Sequence, residues 1–271
     1  MEPLYKIEKK LEVRIHNLSY NIKNEIILND FTHTFKPGLN IIKGENGAGK
    51  TTLLNLIGGN LKTNDNEMSI SGKTRLLNFI GGNLKTNDNE TPNKSIQFFE
   101  NDINISDEIM ANRSKYIGFV FQDDFLIESL TFKENLKLPQ RFLQKISREQ
   151  KEISYSKIIG ECEKVFKDNN ALYLSKTLTK KPPKLSGGEK RKLTILRSII
   201  NYPKLLLLDE PTNHIDKLSI DWVISLIEKL VKGNVTIILV THSNEFCSKL
   251  IKKVPEQSEP IVLTKHNENN T

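Results

Sequence analysis

At 271 residues, 37% of them hydrophobic, the chain is long enough for one full-sized domain with a substantial core. Its longest apolar runs, Leu205–Leu208 and Ile237–Val240, fall far short of the ~20 residues a membrane-spanning helix requires. The two cysteines are too few for a disulfide framework, and the opening residues, charged from Glu2 onward, lack a signal-peptide core, so a soluble cytosolic protein is expected. The net charge is +7, concentrated in Lys176–Lys204, where nine Lys/Arg face the single acid Glu189. Such a stretch is either a solvated basic face or a surface for an anionic partner such as nucleotide, nucleic acid or acidic lipid.

In chain order, the alternating stretches Leu11–His16 and Ile26–Phe35 predict antiparallel strands, and Leu39–Ile42 a short apolar strand. A glycine loop running into an apolar helix occupies Gly44–Gly59. Strands are expected again at Ser95–Phe99 and Tyr116–Phe121, and Ser147 with Gln150 starts a capping-box helix to about Lys167. Helices at Gly188–Asn201 and Leu218–Val231, strands at Leu205–Leu208 and Val235–Val240, and a short helix from Asn244 complete the pattern, with a disordered tail after Thr264. Strands alternating with helices predict a parallel α/β sheet. The strandless middle, about 125–185, predicts an inserted helical subdomain.

Gly49–Glu67 recurs as Gly72–Glu90 with only Thr52/Arg75 and Leu56/Phe79 exchanged. Two units are too few for a solenoid, and an in-frame duplication spanning about 68–90 is the reading. Only the first copy completes a P-loop: Gly44, Glu45, Asn46, Gly47, Ala48, Gly49, Lys50 and Thr51, followed by Thr52, after a strand and before a helix. Backbone N–H groups of such a loop cradle phosphates, Lys50 reaches the β/γ-phosphates, and Thr51 offers its hydroxyl to Mg²⁺. In the second copy Glu67 and Ile70 stand where Gly44 and Gly47 stand in the first. A carboxylate and a β-branched side chain there exclude phosphate. Its apolar Leu76, Leu77, Phe79 and Ile80 are expected to pack outside the core or stay partly exposed.

"LLLLDEPT" (Leu205–Thr212) is a buried strand ending in Asp209, placed for the Mg²⁺ shell, and Glu210, placed to activate water. "LSGGEKRK" (Leu185–Lys192) puts Ser186, Gly187, Gly188 and Glu189 at a helix start aimed at an anion. Two anion-binding helix N-termini are redundant for one nucleotide unless the second serves a neighbour's. With these motifs the chain resembles the ABC (ATP-binding cassette) ATPase family over nearly its whole length, about 1–264. The resemblance implies an α/β P-loop NTPase core with mixed sheet, an N-terminal antiparallel β subdomain and the inserted helical subdomain.

Carried over by residue, the resemblance makes Tyr20 an aromatic that stacks on adenine, and Gln122 a sensor of Mg²⁺ and γ-phosphate. It makes Ser186–Glu189 the signature meeting ATP on a partner subunit, Asp216 part of the loop crossing the dimer interface, and His242 a γ-phosphate switch. The implied protein binds ATP and Mg²⁺, with Thr51, Gln122 and Asp209 toward the metal and Lys50, Glu210 and His242 catalytic. It closes head to tail with a second ATPase subunit and drives a separate transmembrane permease from the cytoplasmic face of a membrane. Apolar Phe125–Phe132 either lines the docking groove or fills the subdomain core, and "ENLKLP" (Glu134–Pro139) is similar to exporter-type subunits. The competing class is a soluble ABC protein on ribosomes or RNA, suggested by "TNHID" (Thr212–Asp216) and the basic charge. A single ATPase domain and the lack of interleaved aromatics favour transport.

Overall fold

The computed structural model describes residues 2–22, 25–61, 76, 95–143, 147–168, 177–213, 215–254 and 259–265, with backbone alone at 148, 153 and 161–168. Among them the antiparallel and parallel strands fall into two separate sheets. The first has the order β2-β1-β4-β5, built from β1 (Leu11–Ile22), β2 (Glu25–Phe35), β4 (Ile96–Glu100) and β5 (Ile103–Asn104). Residues of β1 alternate inward at Leu11, Val13 and Ile15 and then at Leu18 and Tyr20. The phase changes because the β1–β2 register shifts between Ile15 and Leu18, where Asn17 adopts φ 48°. A bulge of this kind adds a residue and turns the following side chains to the other face.

The second sheet, β6-β7-β8-β3-β9, pairs β3 (Leu39–Gly44), β6 (Ile117–Val120), β7 (Leu205–Asp209), β8 (Thr236–Val240) and β9 (Ile261–Leu263) in parallel throughout. Every residue of β6, β7 and β8 is buried, as both faces of a parallel sheet are covered. Parallel pairing brings the C-terminal ends of β3, β6, β7 and β8 to one edge, where ligands bind in open α/β sheets. The expected strands are all present, whereas β9 falls in a stretch whose sequence carries little strand signal.

Helix α1 (Lys50–Ile57) follows β3, and α2 (Ser106–Ala111) and α3 (Arg113–Tyr116) lead into β6. Between β6 and β7 the described residues contain no strand. They form α4 (Phe132–Leu136), α5 (Leu138–Arg141), α6 (Arg148–Asp168) and α7 (Gly187–Ile199). Phe132 and Leu136 share one core with Ile158 of α6, Leu193 and Leu196 of α7 and Trp222 of α8 (Lys217–Lys232). Helix α9 (Asn244–Lys253) adds Phe246 and Leu250 to it.

Phe125–Phe132 resolves mainly as core. Leu126 and Phe132 are buried, and Phe125, Ile127 and Leu130 pack against a second cluster around α1 and the first sheet. In "ENLKLP", Glu134 closes a capping box with Thr131, and buried Asn135 donates to the carbonyls of Ile127, Leu130 and Thr131. Both residues shape the local turn.

Of the second copy only Leu76 is described, and it corrects the expectation that this side chain lies outside the core. It is 2% exposed and belongs to the cluster of Leu53, Leu54, Ile57, Ile117 and Phe119. It sits over a small space lined also by Pro139 and Arg197, a different place from the groove already filled by α1. The other second-copy positions, Thr91 to Lys94 and the tail beyond Lys265 lie outside the described residues.

Candidate active site

The loop between β3 and α1 takes its shape from glycine. Gly44 has φ 147° and Gly47 φ 83°, regions that side chains rarely adopt. A Cβ on Gly44 would also stand 2.2 Å from the Leu263 carbonyl oxygen. Glycine stands at neither counterpart in the second copy, where the sequence has Glu67 and Ile70. Gly49 opens α1, and buried Lys50 turns back to donate from Nζ to the carbonyls of Gly44 and Glu45, at 2.8 and 2.7 Å.

A cavity of about 560 Å³ lies over this loop. The loop contributes Asn46, Gly47, Gly49, Lys50, Thr51 and Thr52 to its walls. The C-terminal ends of β6, β7 and β8 bring Gln122, Asp209, Glu210, Asn213 and His242. Gly44, Glu45 and Ala48 shape the loop without lining the cavity.

Asp209 is 1% exposed, and its carboxyl is pushed up to about 6. Burial is the main cause, against which the Thr51 hydroxyl hydrogen bond pulls down; Glu210 adds to the rise, and Arg191 and Lys50 oppose it. Next to it, Glu210 has φ 46°, a conformation that costs on the order of 1–3 kcal/mol outside glycine and clusters at functional sites. Its N–H donates to the Val240 carbonyl at 3.0 Å, and its Oε1 accepts from the His242 N–H at 3.0 Å. His242 Nδ1 lies 2.7 Å from the same oxygen. Asp209 Oδ1 and Glu210 Oε2 are buried and have no hydrogen-bond partner. Two orphaned carboxylate oxygens beside a hydroxyl and an amide are a hard, oxygen-rich donor set that fits Mg²⁺. Among the described residues no cluster of three or more His/Cys/Asp/Glu is present.

Arg191, which the motif reading passed over, ties these loops together. Its buried guanidinium donates to the carbonyls of Phe121 (2.6 Å), Gln122 (3.2 Å), Asp209 (2.8 Å), Glu210 (2.5 Å) and Pro211 (3.0 Å). One side chain of α7 thereby fixes the strand ends of both β6 and β7. An arginine three residues beyond Gly188 is all the sequence shows of it, and its burial appears only in the structure.

One expected contact, that of Tyr20, is not made at this cavity. Tyr20 is 1% exposed within the core of the first sheet, because the bulge at Asn17 turns it inward; it does not line the cavity. Glu25 and Ile27 of β2 line that wall instead. Asp216, expected on the loop crossing a dimer interface, caps α8, its Oδ1 accepting from the Ser219 N–H at 2.9 Å, and is not among the residues lining this cavity. Ser186, Gly187, Gly188 and Glu189 do not line it either. Ser186 and Glu189 form a capping box that opens α7 with Ser186 and Gly187 exposed. Burial pushes the Glu189 carboxyl up, but the Ser186 N–H and Lys180 outweigh it and hold it low.

The family model described as "ABC transporter" matches residues 68–213. The lipoprotein-releasing system ATP-binding protein LolD of Buchnera aphidicola is 30% identical over 239 residues, 87% of this chain and 86% of that protein. The chain belongs to the ABC transporter family. The match to the ABC transporter model opens at Met68, where the duplicated segment begins, while the glycines that shape the described loop are those at 44 and 47. The macrolide export ATP-binding/permease protein MacB of Campylobacter jejuni is 32% identical over 92% of this ABC chain, which spans 33% of MacB. A solved structure of the ATP-binding cassette MJ0796 in a dimeric, post-hydrolysis state with ADP and Pi superposes with a TM-score of 0.65. It covers 94% of this chain and 97% of that one at 24% identity, and shares the fold.

Proposed function

We propose that this chain is the ATP-binding and ATP-hydrolysing subunit of an ABC transporter, working as a head-to-tail dimer on a separate membrane protein. The observation that carries the reading is the division of the site. The P-loop, Asp209, Glu210, Gln122 and His242 share one cavity, while the exposed Ser186–Gly187 helix start lies outside it. A second copy, docked so that its α7 start faces this cavity, completes each site. The triphosphate lies in the P-loop cradle with Lys50 on the β/γ-phosphates.

A magnesium ion held by Thr51, Gln122 and Asp209 would screen the phosphate charge. Glu210, fixed by His242 through side chain and backbone, takes a proton from the attacking water as its oxygen bonds the γ-phosphorus and the bond to the ADP oxygen breaks. His242, whose side chain is 64% exposed, remains free to meet the γ-phosphate. Among the described residues no helix is long and apolar enough to cross a membrane.

Glu210→Gln tests this. Turnover should fall by about 10²–10⁴-fold while ATP still binds, and light scattering should show an ATP-dependent dimer. In cells expressing its partner the protein should sediment with membranes until detergent is added. A variant that stays monomeric at saturating ATP refutes the dimer, and salt-sensitive sedimentation with ribosomes in place of membranes refutes the transport reading.

A further inference from the structure

β9 runs beside β3 in parallel register, Ile42 opposite Ile261, Lys43 opposite Val262 and Gly44 opposite Leu263. The chain leaving β9 therefore emerges where β3 turns into the P-loop. Their contact is close enough that any side chain at position 44 would strike the Leu263 carbonyl. Two residues on, Lys265 lies across the loop. A Cβ placed on Gly47 would stand 2.8 Å from Lys265 Cε and 3.3 Å from Nζ, and Lys265 lines the same cavity as Lys50.

We propose that Lys265 is a second cation of the P-loop site and contacts the polyphosphate of the bound nucleotide, a proposal that rests on the nucleotide reading above. Lysines after a strand are usually solvated charges with no task. Three observations set this one apart. Its ammonium lies over the central glycine of the phosphate cradle, the cavity wall carries the acids Glu25, Asp209 and Glu210, and no carboxylate pairs with Lys265 among the described residues. Those acids repel a polyphosphate, and Lys50 is the only other lysine in the wall. A flexible ammonium suits a point-charge contact to phosphate oxygen without fixed orientation.

Because the contact is to phosphate over Gly47 of the loop, it adds to binding more than to chemistry. Removing it should raise Kd and KM with little change in kcat.

The test is ATP and ADP binding by calorimetry at fixed Mg²⁺ and salt, with steady-state ATPase, on wild type, Lys265→Ala, Lys265→Arg and the exposed control Lys252→Ala. Lys265→Ala should weaken ATP about tenfold, the scale of one charge-assisted hydrogen bond. Lys265→Arg should recover most of that, Lys252→Ala should match wild type, and kcat should stay within about twofold in all. Lys265→Ala binding ATP within about twofold of a wild type that itself binds saturably overturns the proposal and leaves the nucleotide reading standing. An equal loss in Lys252→Ala also overturns it, because the effect is then general charge. Failure of wild type to bind ATP at all overturns the nucleotide reading and this proposal together.

Discussion

Replacing Arg191 by methionine removes donors from five backbone carbonyls at once while keeping most of the side-chain volume. Each hydrogen bond to a charged group contributes about 1.5–3 kcal/mol. The sum overstates the loss, because a guanidinium 2% exposed carries a large desolvation cost of its own. Burial lowers its basicity for the same reason, with Asp124, 3.4 Å from Nη1, compensating in part. What remains after the substitution is a set of buried carbonyls without partners, at about 1–3 kcal/mol for each that water cannot reach. A net loss of about 3–5 kcal/mol is expected by urea unfolding, the range for breaking a buried charged network. The carbonyls released belong to Gln122, Asp209 and Glu210, so turnover should fall by more than ATP affinity does. Arg191→Lys keeps the charge but not the planar fork, and should rescue stability partly and turnover poorly. A folded Arg191→Met protein within about 1 kcal/mol of wild type and with normal kcat would refute the bridging role.

Lys50→Ala should abolish ATP binding and Lys73→Ala should leave it unchanged, as measured by calorimetry; equal losses would place the phosphate loop elsewhere. Asp209 bears a folded-state value of about 6 against an ordinary 3.8, so the folded state holds its proton in the window between them and the unfolded state does not. Its ionisation thus costs stability as pH rises from about 4 to 6, by up to about 3 kcal/mol. Without nucleotide and metal, Asp209→Asn should be more stable than wild type at pH 7.5, with the gap closing near pH 4; parallel stability curves would contradict this. Leu76→Ala should cost about 2–3 kcal/mol, as for a buried truncation, and removal of Met68–Glu90 should destabilise while sparing ATP binding. A deletion protein as stable as wild type would show that the second copy is a passenger after all.

The phosphate loop, the acid pair at the end of β7, the α7 start and the histidine after β8 were legible from the sequence because each is a contiguous pattern with a local physical cause. Glycines set the loop's backbone, an unbroken apolar run marks a strand buried on both faces, and Ser186 with Glu189 closes a cap within one turn. From alternation and helical periodicity the order of β1 to β4, α1, β6, α6, α7, β7, α8, β8 and α9 followed too, whereas β5, β9 and the short helices α2 to α5 did not. Tertiary structure alone decided what depends on register and on which strands become neighbours. An extra residue near Asn17 turns Tyr20 into the core of the first sheet, which composition cannot reveal. The weak segment Ile261–Leu263 becomes a strand only because the free edge of β3 is there to pair with it, and that pairing carries Lys265 over the loop. Likewise Leu76 finds a core site and Arg191 five carbonyls only after β6, β7 and α7 have packed. Such partners lie far apart in the chain, so no local pattern encodes them.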